Sequence, residues 1–293
     1  MAASEELFVT LPTRVRICYQ TIGNPSDPPV ILVNGATGGI HDWPEDFLPL
    51  ISPPDNPHFI VRFDHRDVGL STEFPVPANY SLLDMAGDVE GLIRHLDVGP
   101  CHIVGVSLGG PIAWTVAARS PELTRTLTLV YTTTGISPEL PMAKTNTEAN
   151  VGVLPFVGGG DARQSFIDSG IRLMDYHATE PVQGEERQRR IESIKFIVNR
   201  EAKAGTLYSK GPNHGSASAE GWPKELLANV KCPATVIQAA KDQYFGPEHG
   251  QALVAAIPGD VDYVLWEDVG HEFPKRCWNR FAEVLLRTWA RGE

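Results

Sequence analysis

No stretch of this 293-residue chain is apolar over the roughly 20 residues that a bilayer-spanning helix requires. The opening residues, Met1-Ala-Ala-Ser-Glu-Glu, lack the basic segment and apolar run of a secretory leader. A cytoplasmic protein is therefore expected, with no membrane partner. Cysteine is scarce. Cys18, Cys101, Cys232 and Cys277 are the four present, none at CxxC spacing, and no Cys or His pair has the spacing of zinc ligands. Reduced, mostly buried thiols and no metal are the expectation. Positive charge is also thin: 25 Lys and Arg face 36 Asp and Glu, for a net charge of -11. The densest basic run, Arg187, Arg189 and Arg190, sits among glutamates and reads as a solvated helix face, so nucleic-acid binding is not expected. No G-x-G-x-x-G follows the first buried strand and no Walker motif occurs, which argues against a nucleotide cofactor. No cofactor of any kind is expected.

What is present is a hydrophobic fraction of 42%, ordinary for a globular enzyme, on a chain long enough to bury a large core. Leu7 to Tyr19 can form an opening hairpin. Pro29 to Asn34 and Phe59 to Asp64 are near-continuous apolar runs, as expected of strands covered on both faces. Leu82, Met85, Val89, Leu92, Ile93 and Leu96 share one helical face. Cys101 to Val106 reads as a strand, Leu108 to Arg119 as a helix with Pro111 in its first turn, and Thr126 to Tyr131 as a strand. This order predicts an α/β fold: a mostly parallel central sheet flanked by helices. Ala234 to Gln238 and Val261 to Trp266 continue the strand pattern, and Phe273 to Arg291 reads as a closing helix. Between them the pattern changes, with a Gly-rich stretch at Gly158-Gly-Gly160 and a charged helical segment from Gln183 to Ala204. Residues 1–134 and 223–293 are thus expected to form the core. Residues 135–222 are expected to form a helical cap over the carboxyl edge of the sheet, where open α/β sheets bind ligands.

Gly105-Val-Ser-Leu-Gly109 matches G-x-S-x-G, and it follows a buried strand and opens a helix. That context presents a serine hydroxyl on a sharp, strained turn. The helix N-terminus adds N–H groups and partial positive charge beside it. A serine needs a base, and His271, in Asp268-Val-Gly-His-Glu after the last strand, lies where the chain order Ser, acid, His would put it. Asp242, at the carboxyl end of the penultimate strand, is the expected acid; Asp262 falls within the last strand and suits the role less well. Asp64-His-Arg-Asp67 reads as structural, with an Arg66–Asp67 network fixing the turn. Trp43 and Phe47 line the pocket or pack the core. His177, Tyr208 and His214 fall in the cap, where each could touch substrate or be solvated.

With Val33-Asn-Gly-Ala36, Trp43-Pro-Glu-Asp-Phe47, Asp64-His-Arg-Asp-Val-Gly-Leu-Ser71, the elbow, Asp242 and His271, the chain resembles the α/β-hydrolases. Within them it is similar to the branch of aclacinomycin methylesterase-like small-molecule esterases. The resemblance implies an oxyanion hole formed by the N–H groups of Ala36 and Leu108. Where many relatives carry His-Gly this chain has Asn34-Gly35, a change that keeps the backbone donor. The implied activity is cofactor-free hydrolysis of a small-molecule ester or lactone; a monomer and a homodimer are both open. A peptidase, thioesterase or C–C hydrolase, a non-hydrolytic biosynthetic catalyst (cyclase or acyl transferase) and a ligand-binding receptor are the alternatives on the same fold.

Overall fold

The computed structural model describes residues 3–142, 162–219 and 221–293. Eight strands form one sheet: β1 (Leu7–Thr10), β2 (Arg16–Ile22), β3 (Pro29–Val33), β4 (Phe59–Phe63), β5 (Cys101–Val106), β6 (Thr124–Val130), β7 (Ala234–Ala239) and β8 (Val261–Trp266). Their order is β1-β2-β4-β3-β5-β6-β7-β8. β2 runs antiparallel to both neighbours, and every pairing from β4 across to β8 is parallel. The opening hairpin pairs Leu7 with Tyr19.

Alternation along the central strands builds two cores. Ile31, Val33, Ile103, Leu127, Leu129 and Val236 face a layer made by α2 (Leu82–Leu96), α3 (Gly109–Arg119) and α7 (Pro247–Ala256). Val30, Leu32, Val104, Val130 and Ile237 face α1 (Leu48–Ile51) and α8 (Trp278–Trp289). A strand covered on both sides is largely apolar at successive positions, and β3 and β4 are buried at every residue; the one charge in them, Arg62, is held by the Trp43 carbonyl, Gln20 and Glu45. Ser81 caps α2 in a reciprocal box with Asp84, and left-handed Asp97 ends it. The closing helix starts later than its apolar pattern suggests. Pro274 and the 3-10 turn Lys275–Cys277 precede it, because a proline cannot donate into a helix interior.

Among the described residues, three α-helices lie between β6 and β7: α4 (Ala162–His177), α5 (Gly184–Ala204) and α6 (Lys210–Ala219). Gly158-Gly-Gly160 lies outside the described residues. α4 and α5, with Leu207 from the turn that follows α5, form a small apolar cluster of their own with Ile167 and Val198. Polar ties join them to the sheet. Arg200 of α5 bonds Asp64 and Glu6, each at 2.7 Å, and Thr206 donates to the Gly69 carbonyl at 2.9 Å. Asn213 of α6 donates to Asp67 at 3.0 Å and accepts from the Ala78 N–H at 2.8 Å. All four cysteines are free thiols, and Cys18, Cys101 and Cys277 are buried. Burial pushes the Cys101 thiol up to about 12 and that of Cys232 up to about 11, so both stay protonated near neutral pH. No helix among the described residues is long and apolar enough to cross a membrane.

Candidate active site

Ser107 sits between β5 and α3 with φ +52, a conformation costly for any residue but glycine. The surrounding backbone holds it there. Its N–H donates to the Val130 carbonyl at 2.9 Å, and its own carbonyl accepts from the Thr132 hydroxyl at 2.7 Å and the Gly110 N–H at 2.9 Å. The flanking glycines are a packing requirement. A Cβ on Gly105 would collide with the Gly109 carbonyl and Ala113, and one on Gly109 with the carbonyls of Val33 and Asn34. Leu108 occupies the N-cap of α3, so its amide is among those that a helix start leaves without an intrahelical partner.

Asp242 and His271 follow the adjacent strands β7 and β8, and their loops are tied by backbone bonds from Ala240 N–H to Trp266 O (2.9 Å) and Lys241 N–H to Val269 O (3.0 Å). Asp242 Oδ2 lies 2.8 Å from His271 Nδ1. Its Oδ1 accepts the N–H groups of Tyr244 (2.8 Å) and Phe245 (2.9 Å), so the carboxylate is fully engaged although its side chain is wholly buried. The imidazole of His271 is walled by the rings of Tyr131, His177, Tyr244 and Phe245. Gln243 accepts the His271 N–H at 3.0 Å and donates to the carbonyls of Tyr176 and His177 at the end of α4.

Ser107, Leu108, Ala36 and His271 line one cavity of about 470 Å³, with Trp43, Ile136, Met142, Leu173, Tyr244 and Phe245 supplying apolar wall. A second lobe of about 370 Å³ lies under α4 and α5, lined by Ile194, Leu207, Tyr208, Arg190 and Lys210. Thr37, Asp42, His177, His271 and Phe273 border both.

The structure distinguishes the remaining candidates. Trp43 is buried against Phe47 and Phe273 and also reaches the first lobe, whereas Phe47 is wholly core. Tyr208 borders only the second lobe and is half exposed. His177 accepts or donates to Tyr244 Oη at 3.0 Å, and burial, with the neighbouring His271, lowers its pKa to about 3. His214 is not solvated; it is 1% exposed. The expected Arg66–Asp67 network does not form. Arg66 makes a bidentate pair with Asp88 of α2 at 2.7 and 2.8 Å, while Asp67 accepts from Tyr80 Oη at 2.6 Å and from Asn213. Asp88 wins because α2 crosses directly beside Arg66, a proximity that sequence neighbours do not reveal. Asp262 pairs with Arg291 at 3.1 Å, away from the cavity. Gln243, Tyr131 and Tyr244 went unnoticed in the sequence; only the position of Gln243 and Tyr244 right after Asp242 could have flagged them. Among the described residues no group of three or more His, Cys, Asp or Glu side chains is arranged to hold a metal ion.

A parallel sheet carrying a strained serine elbow, with a buried Asp–His pair at its carboxyl edge, defines the class of α/β-hydrolases. The comparisons agree: residues 28–274 match the family model described as the alpha/beta hydrolase fold, and the chain belongs to that family. It is 27% identical to rhodomycin D methylesterase from Streptomyces sp. strain C5, over 90% of this chain and 93% of that one. The rhodomycin D methylesterase of Streptomyces peucetius is similar to the same degree, at 27% identity with 90% and 93% covered. Among solved structures, an esterase from Rhodococcus sp. ECU1013 superposes with TM-score 0.75 at 17% identity, covering 97% of this chain and 100% of that one. The enol-lactonase of Burkholderia xenovorans LB400 gives 0.72 at 19%, with 97% and 100% covered.

Proposed function

We propose that this chain is a serine hydrolase that cleaves a carboxylic ester or lactone of a small organic molecule. The observation that carries the proposal is that His271, held 2.8 Å from the buried Asp242, borders the same cavity as the strained Ser107. Asp242 Oδ2 accepts the Nδ1 proton, which leaves Nε2 as the basic nitrogen. His271 takes the Ser107 proton as Oγ attacks the carbonyl carbon. The tetrahedral oxyanion receives the N–H groups of Leu108 and Ala36. Collapse expels the alcohol, protonated by His271, and leaves an acyl-serine. Water, deprotonated by the same imidazole, then releases the acid and regenerates the hydroxyl.

Residues 135–222 act as the cap in this scheme, and 1–134 with 223–293 as the core. The helices α4 to α6 close over the two lobes and exclude bulk water from the reacting bond. Trp43 and His177 flank the substrate near the scissile bond, and Tyr208 contacts its distal portion. Similarity to two methylesterases supports an ester with a small alcohol on a bulky acid, for which the two neighbouring cavities offer room. Four free thiols support a reducing, cytoplasmic setting.

The test is turnover of p-nitrophenyl acetate together with fluorophosphonate labelling. The parent labels at Ser107 and turns over, and Ser107→Ala lowers kcat by about 10³-fold or more and abolishes labelling. Labelling elsewhere, or a variant within a few-fold of the parent, would overturn the assignment. Tight ligand binding with no turnover by the parent would point to a receptor instead.

A further inference from the structure

The loop that follows β3 is clamped by two buried imidazoles, one on each side of Ala36. His65, just beyond β4, has its Nε2 2.9 Å from the Asn34 carbonyl. His214, on α6, has its Nδ1 2.9 Å from the Thr37 N–H and its Nε2 2.9 Å from the Arg66 carbonyl. The partners fix the tautomer. An amide N–H only donates, so Nδ1 of His214 accepts; a carbonyl only accepts, so Nε2 carries the proton. The ring is neutral, and burial drives its pKa down to about 4. Thr37 has φ +62, an outlier for a β-branched residue, so this stretch of backbone needs outside support. Further ties complete the loop: Asn34 Nδ2 donates to the Gly39 carbonyl at 2.5 Å, the Gly39 N–H donates to Asp42 at 2.7 Å, and the Ile40 N–H donates to Asp64 at 3.0 Å. Of these anchors, His214 alone comes from the helices between β6 and β7.

We propose that His214 is a positioning residue for the oxyanion hole. By accepting the Thr37 N–H it holds the adjoining Ala36 amide toward the carbonyl under attack, so that α6 sets the geometry of a donor on a different segment. The inference rests on Ser107 being the nucleophile. Both ring nitrogens are occupied by backbone, so His214 acts through the loop and makes no polar contact with substrate.

Two substitutions separate the halves of the ring. In His214→Asn the side-chain oxygen falls near the place of Nδ1 and can accept from Thr37. In His214→Gln the terminal amide falls near the place of Nε2 and can reach Arg66 while Thr37 is left unpaired. With p-nitrophenyl acetate, the Gln variant should lose about 10- to 100-fold in kcat with KM changed by less than about threefold, since misplacing a catalytic group has effects of this size. The Asn variant should recover most of that loss. Affinity for a trifluoromethyl ketone, which mimics the tetrahedral adduct, should fall in step with kcat. Equal losses in both variants, or a larger loss with Asn, would reduce His214 to an anchor for α6 and overturn the proposal. The parent offers a check that needs no variant: imidazole nitrogen NMR should show His214 protonated on Nε2 and bare on Nδ1 at neutral pH, and the opposite tautomer would overturn it. If Ser107→Ala retains turnover, the nucleophile assignment falls; if Ser107→Ala is inactive and the His214 variants behave like the parent, only the positioning role falls.

Discussion

Asp242 shows how much a single carboxylate can determine. One oxygen receives two backbone N–H groups and the other faces His271 Nδ1. In Asp242→Asn the amide oxygen must stay with the two backbone donors, which turns the NH₂ toward Nδ1. Nδ1 must then accept, Nε2 must carry the proton, and the ring can no longer take one from Ser107. The expected result is a fall in kcat of about 10⁴-fold with the fold intact, checked by steady-state kinetics beside circular dichroism. A loss under about tenfold would show that His271 is oriented by something else. Asn34 teaches a related lesson. Its amide reaches the Gly39 carbonyl and closes the loop on itself, so the stretch after β3 is supported from within as well as by His65 and His214.

At the level of elements, legibility followed the strength of local signals. β5 and β8 were readable to the residue because each is a compact run of β-formers between turn signals. α2 was readable because periodicity, a Ser81–Asp84 cap and a left-handed end all agree. α4, α6 and α7 were not. α6 contains Gly211, Pro212 and Gly215, poor helix formers, and is held by Asn213 and His214 reaching into the core. Tertiary anchors of that kind leave no periodic trace. The elbow was legible because its glycines answer a local steric demand, whereas the partner of Arg66 depends on how α2 crosses the strand. The same steric argument predicts opposite outcomes for two Gly→Ala changes. Gly109→Ala drives a methyl into the carbonyls of Val33 and Asn34 and should destabilise by about 1–3 kcal/mol. Gly87→Ala, in α2 with open space around it, should stabilise by about 0.5–1 kcal/mol. Chemical denaturation measures both, and equal effects would contradict the packing described for the elbow.

Across the whole molecule, buried neutral histidines set a limit on acid tolerance. Burial lowers His65, His102 and His177 to about 3 and His214 to about 4, well below the 6.5 of an unfolded chain. Below pH 6.5 the unfolded chain therefore binds protons that the folded one refuses. Stability is complete above that pH and declines as the pH falls toward 4, by at most about 1.4 kcal/mol per pH unit for each residue. Melting temperature should thus drop markedly between pH 7 and pH 5, before most carboxylates titrate. A flat profile over that interval would mean these rings are solvated.

Gln243 ties the end of α4 to the loop that follows β8. Its single amide holds the His271 main chain with its oxygen and the last carbonyls of α4 with its nitrogen. A tilt of α4 would therefore strain the main chain that carries the His271 ring, or break these amide contacts.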